Sequence, residues 1–174
     1  DALSDADYNV AVGSQALSSD TLGSRSVAVG QSALFTQNFT TATDAYNTAV
    51  GMSAGAAVTT ATNNTFIGGL SGDAATTGAS NTFVGQNSGG ATTTGGQNTA
   101  VGEGALASNT TAGTNTALGR DAMYNNTTGA NNVAIGFSAM KAQTTAAGNF
   151  AAGYKALEDC TVGHSNAASG AYAL

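Results

Sequence analysis

Proline and tryptophan are absent from the 174 residues, cysteine occurs once, histidine once, and charged residues make up only 8%. Each scarcity excludes something. Cys160 alone cannot build an internal disulfide framework, and it leaves the redox compartment open. His164 alone leaves zinc-type clusters and Ser–His or Cys–His catalysis without their parts, and is read as a solvent-facing turn residue. The four cations, Arg25, Arg120, Lys141 and Lys155, are dispersed in a chain of net charge −6, whereas counterion release from nucleic acid needs clustered Lys and Arg. No apolar run approaches the roughly 18–20 residues that span a bilayer, and no basic amphipathic face suits its surface. No secretory signal pattern occurs. Large apolar residues are also few: Leu, Ile, Val and Phe together number 27, below the floor of about 20% usual for a packed core. Disorder would call for charge and proline, which are missing too. What is abundant is small: Ala, Thr, Gly, Asn and Ser supply 117 residues. Such a chain orders itself by repetition.

The repetition is plain. Five-residue words end at Gly13 (NVAVG), Gly30 (SVAVG), Gly51 (NTAVG), Gly68 (NTFIG), Gly85 (NTFVG), Gly102 (NTAVG), Gly119 (NTALG), Gly136 (NVAIG), Gly153 (NFAAG) and Gly170 (NAASG). Successive Gly are 17 residues apart, except for one spacing of 21 between Gly30 and Gly51. Three residues after each Gly stands Ala or Ser, then usually Leu, Met or Gly, and a Thr pair follows at eight and nine residues in six of the repeats (Thr59–Thr60 to Thr144–Thr145). A 17-residue period is too short for a helix pair. Thr, Val and Phe favour strand and Gly punctuates it. The fold class is therefore all-β: a β-solenoid (parallel β-roll) of ten 17-residue coils, one domain over 1–174, with a four-residue insertion within 35–46 and two short strands expected per coil. Stacked at about 4.8 Å, ten coils give a rod of roughly 50 Å.

In such a rod each column faces itself, so residue types are chosen for self-stacking. Asn opens the word at Asn9, Asn47, Asn64, Asn81, Asn98, Asn115, Asn132, Asn149 and Asn166, with Ser26 the exception. An amide both donates and accepts, so this column is expected to form a coil-to-coil ladder. The ten Gly mark turns that need positive φ or close backbone approach; the stretch Gly102 to Ala107 is the repeat word running on, and not a phosphate cradle. Val, Ile or Leu stands one residue before Gly in eight repeats, and Ala or Phe two before in all ten. Neighbouring strand residues point to opposite faces, so both faces are apolar, as in a strand buried on both sides. One thin coil has a single interior. The other face calls for further copies of the chain around a central axis, a homo-oligomer and most simply a homotrimer. Volume is also exchanged: Phe66 and Phe83 replace Ala where the Leu/Met column becomes Gly55, Gly72 and Gly89 and where Ser71 and Ser88 replace Ala, so the rings are expected to fill the vacated space.

No catalytic, cofactor-binding or metal-binding set emerges. The acids, Asp1, Asp5, Asp7, Asp20, Asp44, Asp73, Glu103, Asp121, Glu158 and Asp159, fall in different columns and make no calcium ladder or EF-hand spacing. Asp5 and Asp7 are the nearest approach to a cation pair, and solvated turn acids are the simpler reading. The insertion holds Phe35, Phe39 and Tyr46, a candidate partner-binding loop or a cover for the core.

The words SVAVG, NTAVG and NVAIG followed by x-x-A-L resemble the head repeats of trimeric autotransporter adhesins and, equally, the NTAVG-x-x-AL repeats of bacteriophage tail fibres. The resemblance covers essentially the whole chain. It implies a left-handed parallel β-roll, three chains about one axis, and an extracellular, cell-surface or virion location. The coil is longer than in the adhesin heads, and the 174 residues contain no heptad stalk or membrane-anchoring barrel pattern. A structural fibre segment, contacting a host or surface receptor or glycan, is the expected function, with no nucleic acid, membrane insertion, cofactor or enzymatic activity. The four residues after Gly170 and the twelve before Gly13 complete one period with the Gly itself, which suggests either end-to-end stacking of copies or a fragment of a longer fibre. Ice binding is the alternative from another class. It needs a regular outward Thr array; Thr48, Thr65, Thr82, Thr99 and Thr116 form one column, interrupted elsewhere by Val10, Val27, Val133 and Phe150.

Overall fold

The computed structural model describes residues 6–174, and among these there is no helix. The strands are β1 (Val10–Val12), β2 (Gly23–Ser24), β3 (Val27–Val29), β4 (Thr43–Asp44), β5 (Thr48–Val50), β6 (Thr65–Ile67), β7 (Thr82–Val84), β8 (Thr99–Val101), β9 (Thr116–Leu118), β10 (Val133–Ile135), β11 (Phe150–Ala152) and β12 (Ala167–Ser169). All but β2 and β4 form one ten-stranded sheet in sequence order. Pairing is parallel, and each word position meets its own kind: Val10 faces Val27, Thr99 faces Thr116, Ala134 faces Ala151. The chain is thus a parallel β-solenoid of ten rungs, with nine turns between the first and the last.

Each strand is short because its ends are fixed by backbone geometry. The word Gly sits near φ +130°, as at Gly102 (+133°), where a Cβ would stand 2.6 Å from the carbonyl carbon of Gly119 in the next coil. At the other end the residue before Asn is left-handed: Asn63, Ser80 and Gln97 have φ of 60°, 62° and 61°. After the Gly the backbone turns again at the second and fourth positions, for instance at Asp121 (58°) and Met123 (50°). Those turns bring the Leu/Met column inward, so that Leu34, Leu106, Met123 and Met140 are fully buried.

The second strand expected in each coil is not formed. Only β2 and β4 pair there, across the insertion. From Thr59 onward the Thr-pair segment stacks by a different device. From Thr59 to Thr127 the first Thr of each pair donates both its backbone N–H and its hydroxyl to one carbonyl of the next coil: Thr76 N and Oγ1 reach Thr93 O at 2.9 and 3.1 Å, and Thr93 N and Oγ1 reach Thr110 O at 2.8 and 3.1 Å. One carbonyl receiving two donors replaces the alternating exchange of a strand ladder.

The core is a column of small residues. Ala28, Ala49, Ala100, Ala117, Ala134 and Ala151 from the strands face Ala33, Ala54, Ala105, Ala122, Ala139 and Ala156 from the turns, all with no exposed surface. Two coils depart from this pattern together. Phe66 and Phe83 stack at 5.5 Å between ring centroids. A Cβ on Gly72 would lie 2.6 Å from the Phe66 ring, one on Gly55 2.7 Å from the same ring, and one on Gly89 would run into Phe83. The rings therefore occupy the volume that Leu or Met fills in other coils. Ser71 Oγ, also buried, donates to the Phe83 carbonyl at 3.0 Å. Phe83→Ala is expected to lower stability by about 3–5 kcal/mol in a denaturant titration. Adding Gly89→Leu, which restores the pairing used at Ala100 and Leu106, should recover part of that loss, because Leu106 already adopts the left-handed conformation (φ 53°) that the site needs.

Candidate interaction surface

The interior is held in register by amides. From Asn9 to Asn149 each Asn of the word accepts, at Oδ1, the backbone N–H of the corresponding residue one coil on: Asn47 from Asn64 (3.0 Å), Asn98 from Asn115 (3.0 Å), Asn132 from Asn149 (2.9 Å), Asn149 from Asn166 (2.8 Å). Its Nδ2 donates to the carbonyl fourteen residues later, as Asn81 to Gly95 (2.9 Å) and Asn98 to Ala112 (2.9 Å). Side chain meets side chain directly at Asn64–Asn47, Asn98–Asn81 and Asn166–Asn149, at 3.2–3.3 Å. From Asn47 to Asn149 these side chains are buried.

A second amide column, not recognised in the sequence, lies opposite. The residue before each Thr pair points inward, and from Thr92 it is polar: Asn109, Asn126 and Gln143 are fully buried. Asn109 Nδ2 donates to Ala112 O, Asn126 Nδ2 to Gly129 O and Gln143 Nε2 to Ala146 O, at 3.1, 3.0 and 2.8 Å. The same three carbonyls accept from Asn98, Asn115 and Asn132. Two columns thus use both lone pairs of one carbonyl per coil. Asn126 Oδ1 is the one buried side-chain polar atom among the described residues without a partner.

The same column repairs the one broken rung. Ser26 lacks the amide, and Gln37 takes its place. Its Nε2 donates to Ser26 Oγ (3.1 Å) and to Asp20 Oδ2 (2.6 Å), while its Oε1 accepts from Asn47 Nδ2 (2.8 Å). Asp20, a fully buried carboxylate, also accepts from the Gly23 N–H at 2.8 Å.

The outward face of the sheet is of another kind. The first and third residues of each strand point away from the core: Val10/Val12, Val27/Val29, Thr48/Val50, Thr65/Ile67, Thr82/Val84, Thr99/Val101, Thr116/Leu118, Val133/Ile135, Phe150/Ala152 and Ala167/Ser169. None is charged. Val12, Val50, Ile67, Val101 and Ile135 keep 36–55% of their surface exposed. Beside this face the residue after Gly runs through Arg120, Phe137 and Tyr154, with Arg120 lying 5.7 Å from the Phe137 ring centroid and the two rings stacked at 5.5 Å.

The insertion does not assemble its three aromatics into one exposed loop. Asn38 N–H still bonds Thr59 O, and Thr43 already pairs with Gly23, so residues 39–42 stand where the preceding coil has Leu22 alone and hold three of the four additional residues. Phe39 is buried, its ring 2.8 Å from where a Cβ of Gly23 would stand. Phe35 is half-buried. Tyr46 alone is exposed, and its hydroxyl donates to Asp44 Oδ2 (3.3 Å). Asp44 also pairs with Arg25 (2.9 Å), which keeps the Arg25 guanidinium above its usual pKa. His164 is exposed and its Nδ1 accepts from the Ala147 N–H at 3.0 Å. Asp1 and Asp5 lie outside the described residues; among the others no group of His, Cys, Asp and Glu converges as metal ligands would. Asp73 is half-buried, and desolvation raises its pKa above the ordinary carboxylate value. No family model, curated protein or solved structure matches the chain.

Two outcomes follow from these networks. Gln37→Leu should cost about 2–4 kcal/mol in a thermal or denaturant melt, since it strands the buried Asp20 and Asn47 groups, whereas Gln86→Leu on the exposed turn should be near neutral. The raised pKa of Asp73 means that its charged form is disfavoured by folding. The penalty is present above its folded pKa and disappears as pH falls below its unfolded value. Asp73→Asn should therefore raise Tm at neutral pH, with the gain shrinking on acidification.

Proposed function

We propose that this chain is a stiff structural segment of an extracellular or virion fibre, of the adhesin-head or tail-fibre kind, in which three copies bundle through their outward sheet faces around a central axis. The observation that carries the reading is the absence of charge from all twenty outward strand positions, combined with the half-exposed Val, Ile and Leu column on eight successive rungs. Surfaces that stay wet are normally charged. Burying the exposed half of one such side chain is worth about 1 kcal/mol, and eight rungs repeat it. That sum is comparable with the stability of a whole domain. All four cations and all the described acids lie on other columns, and all of these but the buried Asp20 keep the outside of a bundle soluble. The turns and the exposed residues 40–42 of the insertion would then face outward, available to a receptor or glycan.

A second reading rests on the Thr column. Thr48, Thr65, Thr82, Thr99 and Thr116 stand outward on five successive rungs beside Val, Ile or Leu, a regular array of hydroxyl and methyl groups that could order water as ice does. Light scattering on size-exclusion fractions separates the two. A trimer that Val101→Lys converts to a folded monomer supports the fibre; a monomeric parent with thermal hysteresis lost on Thr99→Lys supports ice binding and ends the first reading.

A further inference from the structure

Five tyrosines are present, at positions 8, 46, 124, 154 and 172. Four elements of their placement distinguish one pair. Tyr8 and Tyr46 stand in the same column but are held apart by Arg25, whose guanidinium lies 5.0 Å from one ring centroid and 5.9 Å from the other. Tyr124 has Lys141 over its ring at 5.8 Å. Tyr154 and Tyr172, on adjacent coils, are in direct contact, with ring centroids 5.2 Å apart and planes at 77°. Both are exposed, at 44% and 68%. They are therefore reachable by a bulky oxidant and already placed edge to face.

We infer that Tyr154 and Tyr172 form an oxidative cross-linking site, joined through their rings into a dityrosine by a haem peroxidase with hydrogen peroxide. Each phenol gives up one electron and one proton, forming a phenoxyl radical. The two radicals couple by a carbon–carbon bond between ring positions ortho to the oxygens, and the two displaced ring hydrogens move to the phenol oxygens. The two hydrogen atoms lost overall reduce one peroxide to two waters. The neighbours favour this pair. The Tyr154 phenol beside it holds the Tyr172 proton more tightly than usual, and the edge-to-face contact of the two rings already sets ring carbon against ring carbon. Lys155 lies 5.8 Å from the Tyr154 ring. The product ties the ninth rung to the tenth by a covalent bond between adjacent coils.

The test treats the purified chain with haem peroxidase and hydrogen peroxide at low protein concentration. Expected are the blue fluorescence of dityrosine, an intact chain lighter by two hydrogen atoms, and a single cross-linked peptide pair containing Tyr154 and Tyr172. Oxidation of mixed isotope-labelled and unlabelled chains should yield no mixed pair. Tyr154→Phe and Tyr172→Phe should each abolish the product with circular dichroism unchanged, while Tyr8→Phe and Tyr124→Phe leave its yield intact. Amide exchange over residues 154–172 should slow several-fold in the linked form. An undiminished yield in Tyr172→Phe, links scattered over other tyrosines, or links only between chains would each overturn the inference.

Discussion

A buried amide that accepts from the coil ahead and donates across its own coil sets the pitch and register of this rod. A coil of 17 residues encloses so little volume that much of its backbone faces inward, and every inward N–H or C=O must find a partner. The Asn column meets that demand at the corner where the strand begins. Oδ1 receives the next rung's N–H, and Nδ2 closes the coil onto a carbonyl fourteen residues later. A slip of one residue in any coil would break both bonds and bury their partners unpaired, at roughly 1–3 kcal/mol per group. The register is therefore stated once per turn. Ser26 shows that the requirement belongs to the site and not to asparagine: where the amide is missing, Gln37 supplies one from the opposite wall.

The small-residue interior follows from the same geometry. Word glycines stack carbonyl to backbone so closely that a single added carbon would collide with the next coil. With backbones that near, Ala fills the strand column and one Leu or Met per coil fills the rest. The low content of large apolar residues is thus compatible with a dense core. Phe66 and Phe83 show how strictly volume is conserved. Each ring is admitted only where glycine stands in place of Leu or Met, and the left-handed turn is kept by both, since Gly89 (φ 59°) and Leu106 (φ 53°) share one backbone conformation.

The architecture was legible because each column repeats itself. The ten words, the constant Gly, the Asn at the head of the strand and the exchange of Phe against Gly all appear as periodic patterns, and each marks a position whose neighbours are copies of itself. What escaped the sequence was aperiodic or weakly patterned. The inward position before the Thr pair changes from Val58 and Ala75 to Thr92, Asn109, Asn126 and Gln143, so it has no fixed chemistry to notice, although the carbonyl it serves recurs every coil. Thr pairs suggested a strand because Thr favours one, but their hydroxyls take over the stacking that a ladder would supply. Phe39, in the insertion, reads from sequence either as part of a partner-binding loop or as a cover for the core, and its burial decides for the second. A coil with extra chain has spare interior beside Gly23, and the ring enters it.

The outward face carries one more regularity that bears on association. On a wet surface a large side chain places no demand on the size of its neighbour. Here, the one rung with an aromatic at the first outward position, Phe150, has Ala152 at the third, where eight other rungs carry Val, Ile or Leu. Whereas the last rung, Ala167/Ser169, is small at both positions, in the Phe150 rung volume lost in one column is gained in the other. That is the pattern seen inside the coil at Phe83 and Gly89, where contact with a facing wall enforces it. Compensation within a rung, and not between distant rungs, is what a partner surface would impose if it presented the same rung at the same height. It favours identical copies lying parallel and in register over an ordered water layer, which would select for uniform hydroxyl spacing and would be indifferent to whether Ala accompanies Phe.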